Sequence, residues 1–355
     1  MADVEQGSPS GGAAVRGIDA ERVTPWLEAN VAGLVAPVTY TLIAGGHSNL
    51  TYKVTDSAGA DFVLRRPPMG QVLATAHDMG REHRIISALG PTPVPVAPAL
   101  AFCGDADVNG APFYVMRFVE GHILRDGPTT EAALTPAQRR TAGESLVDVM
   151  AQIHAVDPDA VGLGDLGRKE GYIERQLKRW YRQFEQSKLR EVPDVNEVHD
   201  ILLRNVPEQG PATIVHGDYR LDNCMVDDEG KVAAVLDWEI CTLGDPMADV
   251  GLLSVYWTDP DDTGAALGVS ATTLEGFPRR AELVARYAEA SGRDVSQVGY
   301  YTAFGYWKLA CIVDGVYTRY AGGSMGASEG FEHFDAQVIR MAATAKETLH
   351  EMGVT

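Results

Sequence analysis

One segment limits the possible folds of this chain more than any other: ATIVHGDYRLDNCMVDDEGKVAAVLDWEICTLGDPMADV, residues 212–250. An apolar strand leads into a loop that carries Asp218 and, five positions later, Asn223. The turn DDEG then joins two further short strands, and the second of these ends at Asp237. The pattern predicts that two carboxylates and one amide converge where these strands end.

Oxygen atoms that converge in this way suit one type of chemistry. Mg²⁺ is commonly held by one or two carboxylates together with substrate phosphates and water. A further carboxylate can orient and deprotonate a hydroxyl, which is the arrangement for in-line phosphoryl transfer. The alternative is that these side chains only cap surface turns. That alternative does not explain why two strands should present metal-type oxygens at matching ends.

Alternating residues and turn signals predict that the N-terminal part of the chain is a sheet. Residues 38–44 and 50–56 predict a hairpin around GGHSN, and residues 61–67 predict a third strand that stops at a proline pair. A helix over residues 79–90 and a strand that ends at Gly121 follow. A shorter amphipathic helix precedes the sheet.

The rest of the chain predicts helices around a small β insert. Thr135 begins a long helix, two more helices precede the insert, and the region after about Met247 is mostly helical. The expected fold class is therefore α+β and bilobal, with an antiparallel sheet and one main helix in the first lobe. The expected divisions are a disordered tail (1–17), an N-terminal nucleotide-binding lobe (18–120) and a C-terminal catalytic and substrate-binding lobe (121–355).

Composition excludes some classes of partner. The chain has 30 Lys and Arg against 49 Asp and Glu, a net charge of −19 that would repel a nucleic-acid backbone. It does not exclude a nucleotide that arrives with Mg²⁺. Residues 1–17 contain no apolar h-region, and no apolar run is long enough to span a membrane, so neither a secretory signal nor a membrane partner is expected. The 4 cysteines form no C-x-x-C motif, so buried, reduced thiols are expected. Reduced thiols are typical of a cytoplasmic protein, which is the expected location. The sequence does not specify an oligomeric state.

Three motifs in the segment resemble those of a known family. HGDYRLDN matches the H-x-D-x-x-x-x-N loop of the aminoglycoside phosphotransferase and choline kinase families, relatives of the protein kinases. LDWE stands where protein kinases carry D-F-G, and GDPMADVG resembles the element that follows it. The resemblance implies a protein-kinase-like fold, ATP and Mg²⁺ as cofactors, and transfer of the γ-phosphate to a hydroxyl of a small molecule.

The resemblance also implies roles for individual residues in the segment. Asp218 would be the catalytic base, and Asn223 and Asp237 would ligate Mg²⁺. His216 would hold the loop through hydrogen bonds, with a role as general base as the alternative. Arg220 would support the loop or approach the transferred phosphate.

Three further carboxylates follow in the same segment. Glu239 would assist the metal or line the substrate site, or else it is solvated or ion-paired. Asp245 and Asp249 would hold the following segment in place rather than act in the chemistry, with Asp249 bonded to loop backbone.

The expected nucleotide contacts lie in the N-terminal sheet. GGHSN could cover the ATP phosphates with the backbone of Gly45 and Gly46 and with Ser48 and Asn49, although a plain hairpin turn is the alternative. It is neither a G-x-G-x-x-G motif nor a P-loop.

The strand FVLR occupies the place of the kinase V-A-I-K strand. Val63 would roof the adenine. Arg65, where the family more often has Lys, would bind the α- and β-phosphates with Glu82 as its partner. Glu82 as an ordinary surface residue is the alternative.

The backbone of the connecting strand would pair with the adenine edge. This strand supplies Arg117, Phe118 and Val119, and Met225 would form the adenine floor, unless it is a core residue.

The acceptor is less well defined by the sequence. The late helices would supply its site, with the candidates Tyr256, Trp257, Tyr306, Trp307, Lys308 and Arg319. Aromatic residues at these spacings are more often core residues than substrate wall, and Lys308 or Arg319 would face an anionic substrate. An aminoglycoside or choline-like alcohol would require convergent carboxylates. The run RRPP at 65–68 resembles instead the kinase-like domain fused to some acyl-CoA dehydrogenases, which implies a hydroxy acid or hydroxyacyl thioester. Other hypotheses are a catalytically weak, pseudokinase-like nucleotide-binding module and a structural protein.

Overall fold

The computed structural model describes residues 15–44, 49–69, 77–262, 267, 270–321 and 333–355. The fold divides into two units. The first ends at Glu120 and also includes Leu236–Glu239. The second contains Gly121–Val235 and Ile240–Thr355. The sequence had assigned 236–239 to the C-terminal lobe. They belong to the first unit because Asp237 pairs with a strand residue there and the backbone of Trp238 bonds to Glu82.

The first unit is built on a five-stranded antiparallel sheet with the strand order β1-β2-β3-β5-β4. The strands are β1 (Thr39–Ala44), β2 (Leu50–Thr55), β3 (Asp61–Arg66), β4 (Ala99–Cys103) and β5 (Phe113–Arg117). The helices are α1 (Ala20–Asn30), α2 (Met79–Leu89) and the short α3 (Ala106–Asn109). The predicted hairpin, third strand and main helix are confirmed, whereas β4 and α3 had no sequence prediction.

One face of this sheet and the helix α1 form the core of the first unit. Alternate residues of β2 are buried, which is the pattern of a strand with one face in a core. Asp19 caps α1 by accepting from the backbone of Arg22, and Val23 and Leu27 of the helix are fully buried. The apolar spacing of the sequence is therefore sufficient to position α1.

The predicted disordered tail is wrong at its last three residues. Val15 packs against the core of the first unit, the carbonyl of Arg16 accepts from Tyr52, and the carbonyl of Gly17 accepts from Arg66. These contacts are made by backbone groups and by one small apolar side chain. The composition of the segment therefore does not show that it is ordered. Residues 1–14 lie outside the described part of the chain.

The second unit is mostly helical. Its helices are α4 (Gly127–Ala133), α5 (Pro136–Ala155), α6 (Tyr172–Ser187), α7 (Pro193–Arg204), α8 (Met247–Tyr256), α9 (Arg280–Ser291), α10 (Val298–Ala321) and α11 (His333–Glu351). Two small antiparallel sheets pair β6 (Thr213–Val215) with β9 (Thr242–Gly244) and β7 (Cys224–Val226) with β8 (Val232–Val235). The α+β fold class expected from the sequence is confirmed.

Local signals account for several of these elements. Thr135 caps α5 in a capping box with Gln138, as the sequence predicts for the cap. Nine of the ten residues of α8 are buried, and α10 packs against both α8 and α11. All four cysteines are buried and none of them forms a disulfide, in agreement with the predicted buried thiols. Within the described residues, no helix has both the length and the apolarity to cross a bilayer.

Candidate active site

The first unit holds a charged cluster, defined here as Arg65, Glu82, Asp237 and Glu239. Nε of Arg65 on β3 lies 3.3 Å from Oε2 of Glu82, and Nη2 donates to Oδ1 of Asp237 at 2.7 Å. The predicted ion pair between Arg65 and Glu82 is therefore present. Because two carboxylates engage one guanidinium, the orientation of the Arg65 side chain is tightly restricted.

Glu82 is buried beside Arg65. The Glu82 side chain is 2% exposed, and burial raises the pKa of its carboxyl while the charge of Arg65 opposes that rise. Tyr114 faces Arg65 across β3 and β5 and forms a hydrogen bond with Glu82. The strand pairing of β3 with β5 therefore provides a third member that orients the pair.

Asp237 and Glu239 lie just after β8, the second strand of the β7–β8 hairpin. Asp237 has a φ of +61°, the one positive φ of a non-glycine residue in the described part of the chain. A short polar residue tolerates this conformation best, and such outliers cluster at functional sites. Glu239 accepts from the amide of Asn49 at 3.2 Å and lies 3.7 Å from Nδ1 of His77. Glu239 is therefore hydrogen-bonded and not simply solvated.

Some of the residues that are predicted to contact the nucleotide lie on the same sheet. Val63 is buried in β3, and Phe118 is half-buried with the ammonium of Lys53 over its ring. The backbone N–H groups of Arg117 and Phe118 donate to other residues, whereas that of Val119 has no partner among the described residues. Gly45, Gly46 and Ser48 lie outside the described residues.

Met225 belongs to the second unit. It is half-buried on β7, opposite Ala234 of β8. A Cβ added to Gly121 would lie 2.8 Å from Cγ of Met225, and φ of this glycine is +148°. Only glycine fits beside this methionine at the start of the second unit.

The second unit presents a loop at residues 216–223, between β6 and β7. Asp249 of α8, which is 1% exposed, accepts from the backbone N–H of His216 at 2.7 Å and of Gly217 at 2.8 Å. Nε2 of His154 on α5 lies 3.3 Å from the same carboxylate. The expected bond from Asp249 to loop backbone is therefore present, and it connects the loop to two helices.

His216 holds the loop from inside. Its side chain is fully buried, and its Nδ1 accepts from the backbone N–H of Asp218 at 3.3 Å. Asp245 has a similar structural position, because it accepts from Tyr301 at 2.6 Å and from the backbone of Met247 at 3.0 Å. Both residues fit a positioning role better than a chemical one.

Asp218 is surrounded by groups that orient its carboxylate. Nδ2 of Asn223 donates to Oδ2 of Asp218 at 2.9 Å and to its backbone carbonyl at 2.8 Å. The hydroxyl of Tyr256 donates to Oδ1 at 3.2 Å, and Nε of Arg220 lies 3.5 Å from Oδ2. Burial and then the charge of Asp218 raise the pKa of Tyr256, so the phenol remains the donor.

Arg220 connects three side chains of the loop region. Its Nε lies 3.2 Å from Oδ1 of Asp222, in addition to its approach to Asp218. Its guanidinium carbon lies 4.9 Å from the ring centroid of Tyr256. A role of Arg220 in support of the loop therefore agrees with the geometry.

Lys308 of α10 lies behind the loop. Its side chain is buried, its Nζ donates to the carbonyl of Gly217 at 3.1 Å, and burial lowers the pKa of its ammonium. It is not available as a substrate cation, so its expected place in the acceptor site is wrong. Trp307 is also a core residue, because its Nε1 donates to the carbonyl of Val195.

Asn223 in the second unit and Asp237 in the first unit each keep one oxygen without a hydrogen bond among the described residues. Because Asn223 uses its Nδ2 on Asp218, its Oδ1 remains without a partner among the described residues. Asp237 likewise has one oxygen that accepts no hydrogen bond in that part of the chain. Amide and carboxylate oxygens are hard ligands of the type that Mg²⁺ prefers. Among the described residues, no group of three His, Cys, Asp or Glu side chains is placed so that it could hold a metal ion.

A cavity of about 260 Å³ in the second unit adjoins the surroundings of Asp218. Two of its wall residues, Tyr256 and Arg220, are the ones that contact the Asp218 carboxylate. The sequence had indicated Tyr256 and Trp257 for such a wall. It missed Arg125, Thr258 and Thr272, because these lie in loops without a motif.

The fold and these two sets of residues define a class of protein, the kinase-like phosphotransferases. The model of the phosphotransferase enzyme family matches residues 39–283, which is more than half of the chain. The chain therefore belongs to this family.

Curated proteins similar to this chain carry a different kind of name. Acyl-CoA dehydrogenase family member 11 of Rattus norvegicus is 34% identical over 301 residues, which cover 83% of this chain. The match covers 38% of that relative, so the chain spans about two fifths of its length.

Solved structures show the same fold. A Ralstonia eutropha protein, provisionally named an aminoglycoside phosphotransferase, is 32% identical with a TM-score of 0.80, and the match covers 94% of this chain and 98% of that one. An amicoumacin kinase in complex with AMP-PNP, Ca²⁺ and its substrate is 16% identical, has a TM-score of 0.60 and covers 93% of each chain. The second likeness concerns the fold alone.

Proposed function

We propose that the protein transfers the γ-phosphate of ATP to a hydroxyl of a small molecule, with Asp218 as the base. The observation that carries this proposal is the position of the Asp218 carboxylate. It accepts from Asn223 and Tyr256, and residues that contact it form a wall of the adjoining cavity. A carboxylate held in this way can orient a hydroxyl for in-line attack and accept its proton.

The charged cluster of the first unit would bind the nucleotide. Arg65 would contact the α- and β-phosphates, and Glu82 and Tyr114 would hold its guanidinium in place. Val63 and the free N–H of Val119 would contact the adenine. The complex of the amicoumacin kinase with AMP-PNP supports a nucleotide in this fold.

Asn223 and Asp237 would hold the magnesium ion, each through the oxygen that its neighbours leave available. When bound, the ion neutralises charge on the transferred phosphate. Glu239 would act next to it through its bond with Asn49.

The acceptor belongs to one of two chemical classes. The relatives named as acyl-CoA dehydrogenase family members favour a hydroxy acid or a hydroxyacyl thioester. An aminoglycoside or choline-like alcohol is the class that other family members suggest. We expect the reaction to take place in the cytoplasm.

Asp218→Asn tests the proposal. It should abolish turnover and leave the affinity for Mg·ATP nearly unchanged, because the base acts on the acceptor. Asp200→Asn, on the exposed side of α7, is the matched control and should retain turnover. Undiminished turnover in Asp218→Asn would reject the assigned base.

A second candidate function is that of a nucleotide-binding module with little catalysis. The observation that favours it is Arg65 in place of the more usual Lys. ATP binding by the wild-type protein without phosphate transfer to any member of a broad hydroxyl library would support this function.

A further inference from the structure

Lys308 of α10 is a buried, charged side chain to which the proposed function assigns no part. It is 7% exposed, and its Nζ donates to the carbonyl of Gly217 at 3.1 Å. Gly217 directly precedes Asp218 and is itself buried. No other donor reaches this carbonyl from the part of the chain that the structure describes. Burial of an ammonium is costly, and here the ammonium is bonded to one main-chain oxygen next to the proposed base.

The bond from Lys308 acts where the backbone rotates easily. Gly217 has a φ of +85°, a conformation that glycine adopts without the strain that other residues meet. The same freedom allows the peptide planes on both sides of a glycine to turn. The plane before Gly217 is held by Asp249, which accepts from the N–H of Gly217 at 2.8 Å. Lys308 supplies the corresponding constraint on the plane after it.

The peptide plane between Gly217 and Asp218 is held at both edges. Its carbonyl oxygen accepts from Lys308, and its N–H, which belongs to Asp218, donates to Nδ1 of His216 at 3.3 Å. Because the plane includes Cα of Asp218, its orientation sets the direction in which the Asp218 side chain leaves the backbone. These two hydrogen bonds act on the backbone of the proposed base, whereas the donors described above act on its carboxylate.

The charged groups around Lys308 come from three elements. Burial lowers the pKa of its ammonium, Asp218 of the loop and Asp249 of α8 raise that pKa, and Arg179 of α6 lowers it. Tyr172 of α6 borders the same enclosure, and burial raises the pKa of its phenol, so it adds no charge. Two carboxylates therefore face Lys308 against one guanidinium. These charges stabilise a cation here, and a cationic donor forms a stronger hydrogen bond than a neutral one does.

We propose that Lys308 is a positioning residue of the phosphotransfer reaction, which holds Asp218 through the carbonyl of Gly217 in the orientation that accepts the proton of the acceptor hydroxyl. This inference rests on the proposed function, since that function makes Asp218 the base. Lys308 acts through the backbone alone and does not select the acceptor. Its loss should therefore lower turnover rather than binding, because a catalytic group tolerates a displacement of only about 0.5 Å.

The test uses two variants that lack the bond to Gly217. Lys308→Met fills a similar volume without a donor, and Lys308→Gln keeps a polar but shorter side chain that does not reach the carbonyl. The test stands on either variant that is folded in urea denaturation. Turnover is followed by ADP release with 3-hydroxybutyrate, its coenzyme A thioester, kanamycin and choline, and kcat and KM are determined with the one that the wild-type protein phosphorylates fastest.

Two controls separate positioning from a contribution to stability alone. Lys346→Met removes a lysine of α11 that bonds to Asp194 and Glu197 of α7, away from the loop. Met341→Ala removes a fully buried side chain of α11 and so lowers the free energy of unfolding through lost core packing. Both controls should keep the kcat of the wild type at a temperature at which they are folded.

We expect kcat of the Lys308 variants to fall at least roughly tenfold, the effect of one hydrogen bond from a charged group on a barrier. The KM for Mg·ATP and the KM for the acceptor should change less than about twofold. Hydrogen exchange of the segment 212–224, measured by mass spectrometry, should become faster at the amides of Gly217 and Asp218. It should not change in Lys346→Met.

The proposal is overturned if kcat of the folded Lys308 variants equals that of the wild type, if KM rises as much as kcat falls, or if Met341→Ala loses as much kcat as they do. Failure of the proposed function has a different signature, since the wild-type protein then phosphorylates none of the acceptors. Hydrogen exchange decides in that case: faster exchange supports the hold of Lys308 on this peptide, and unchanged exchange overturns it.

Discussion

The hydroxyl of Tyr256, the last residue of α8, donates to Oδ1 of Asp218 at 3.2 Å. Asn223 occupies the other carboxylate oxygen at 2.9 Å. Each oxygen of the Asp218 carboxylate therefore accepts a hydrogen bond from an uncharged donor. The two bonds fix the plane of the carboxylate without removing its charge.

Tyr256→Phe removes one of these donors. We expect kcat to fall by on the order of tenfold, because a hydrogen bond to a charged group is lost and the carboxylate is less well oriented. The KM for ATP should not change, since the contact is on the acceptor side. Steady-state kinetics with varied ATP and varied acceptor measures both values.

Tyr181→Phe is the control for Tyr256→Phe. Tyr181 stacks on His199 at a centroid distance of 3.9 Å and has no hydrogen bond among the described residues. It should retain full activity. An equal loss of activity in the two variants would contradict a specific role of the Tyr256 hydroxyl.

Asp249→Asn should weaken both the fold and the activity. An amide can accept through one oxygen only, so at least one buried N–H of His216 or Gly217 would lose its acceptor. We expect the free energy of unfolding to fall by roughly 3 kcal/mol and kcat to fall with it. Urea denaturation and single-turnover kinetics measure the two effects, and unchanged stability would contradict the proposed anchoring.

Asp249 also predicts a pH dependence of stability. Burial opposes ionisation of this carboxyl, but its bonds with His154 and with backbone N–H groups outweigh burial and lower its pKa below the ordinary value. The stabilisation is therefore complete above the unfolded pKa of about 3.9 and is lost as the pH falls through the lower folded value. The difference in melting temperature between wild type and Asp249→Asn should shrink on acidification. A constant difference would contradict this account.

Sequence reasoning succeeded where the signal is local. The hairpin of β1 and β2 and the cap of α5 follow from alternation, turn residues and capping residues within a few positions of each other. The pairing of Arg65 with Glu82 followed from a family pattern of strand then helix.

Sequence reasoning failed where contacts join distant positions without a motif. Tyr256 reaches Asp218 from the end of a helix, and Tyr114 reaches Glu82 from a strand that pairs with β3. Lys308 was expected in the acceptor site because of its charge, but its Nζ donates to a buried carbonyl. Helical periodicity alone does not indicate which polar group a buried lysine will meet.

Glu82→Gln tests the charged cluster of the first unit. Loss of the buried carboxylate leaves Arg65 with one partner fewer, so the free energy of unfolding should fall by roughly 3 kcal/mol. The KM for ATP should rise because the guanidinium loses its orientation. Urea denaturation and ATP titration measure these changes.

Glu28→Gln, on the exposed side of α1, is the matched control for Glu82→Gln and should change neither value. If Glu82→Gln left the KM for ATP unaltered, the cluster would be a structural pair without a role in nucleotide binding.

Two substitutions of Asp237 distinguish its role in the backbone conformation from its proposed role in metal binding. Asp237→Asn tolerates the φ of +61° and should keep the stability of the wild type, whereas Asp237→Ala should lose about 1 kcal/mol from the left-handed conformation. Both variants lose the carboxylate charge. The Mg²⁺ concentration that gives half-maximal activity should therefore rise roughly tenfold. Calorimetry with AMP-PNP, with and without Mg²⁺, measures the affinities, and Asp107→Asn, an exposed residue of α3, should behave as the wild type. An Mg²⁺ dependence that is the same in Asp237→Asn and wild type would mean that Asp237 only holds Arg65 through its 2.7 Å bond.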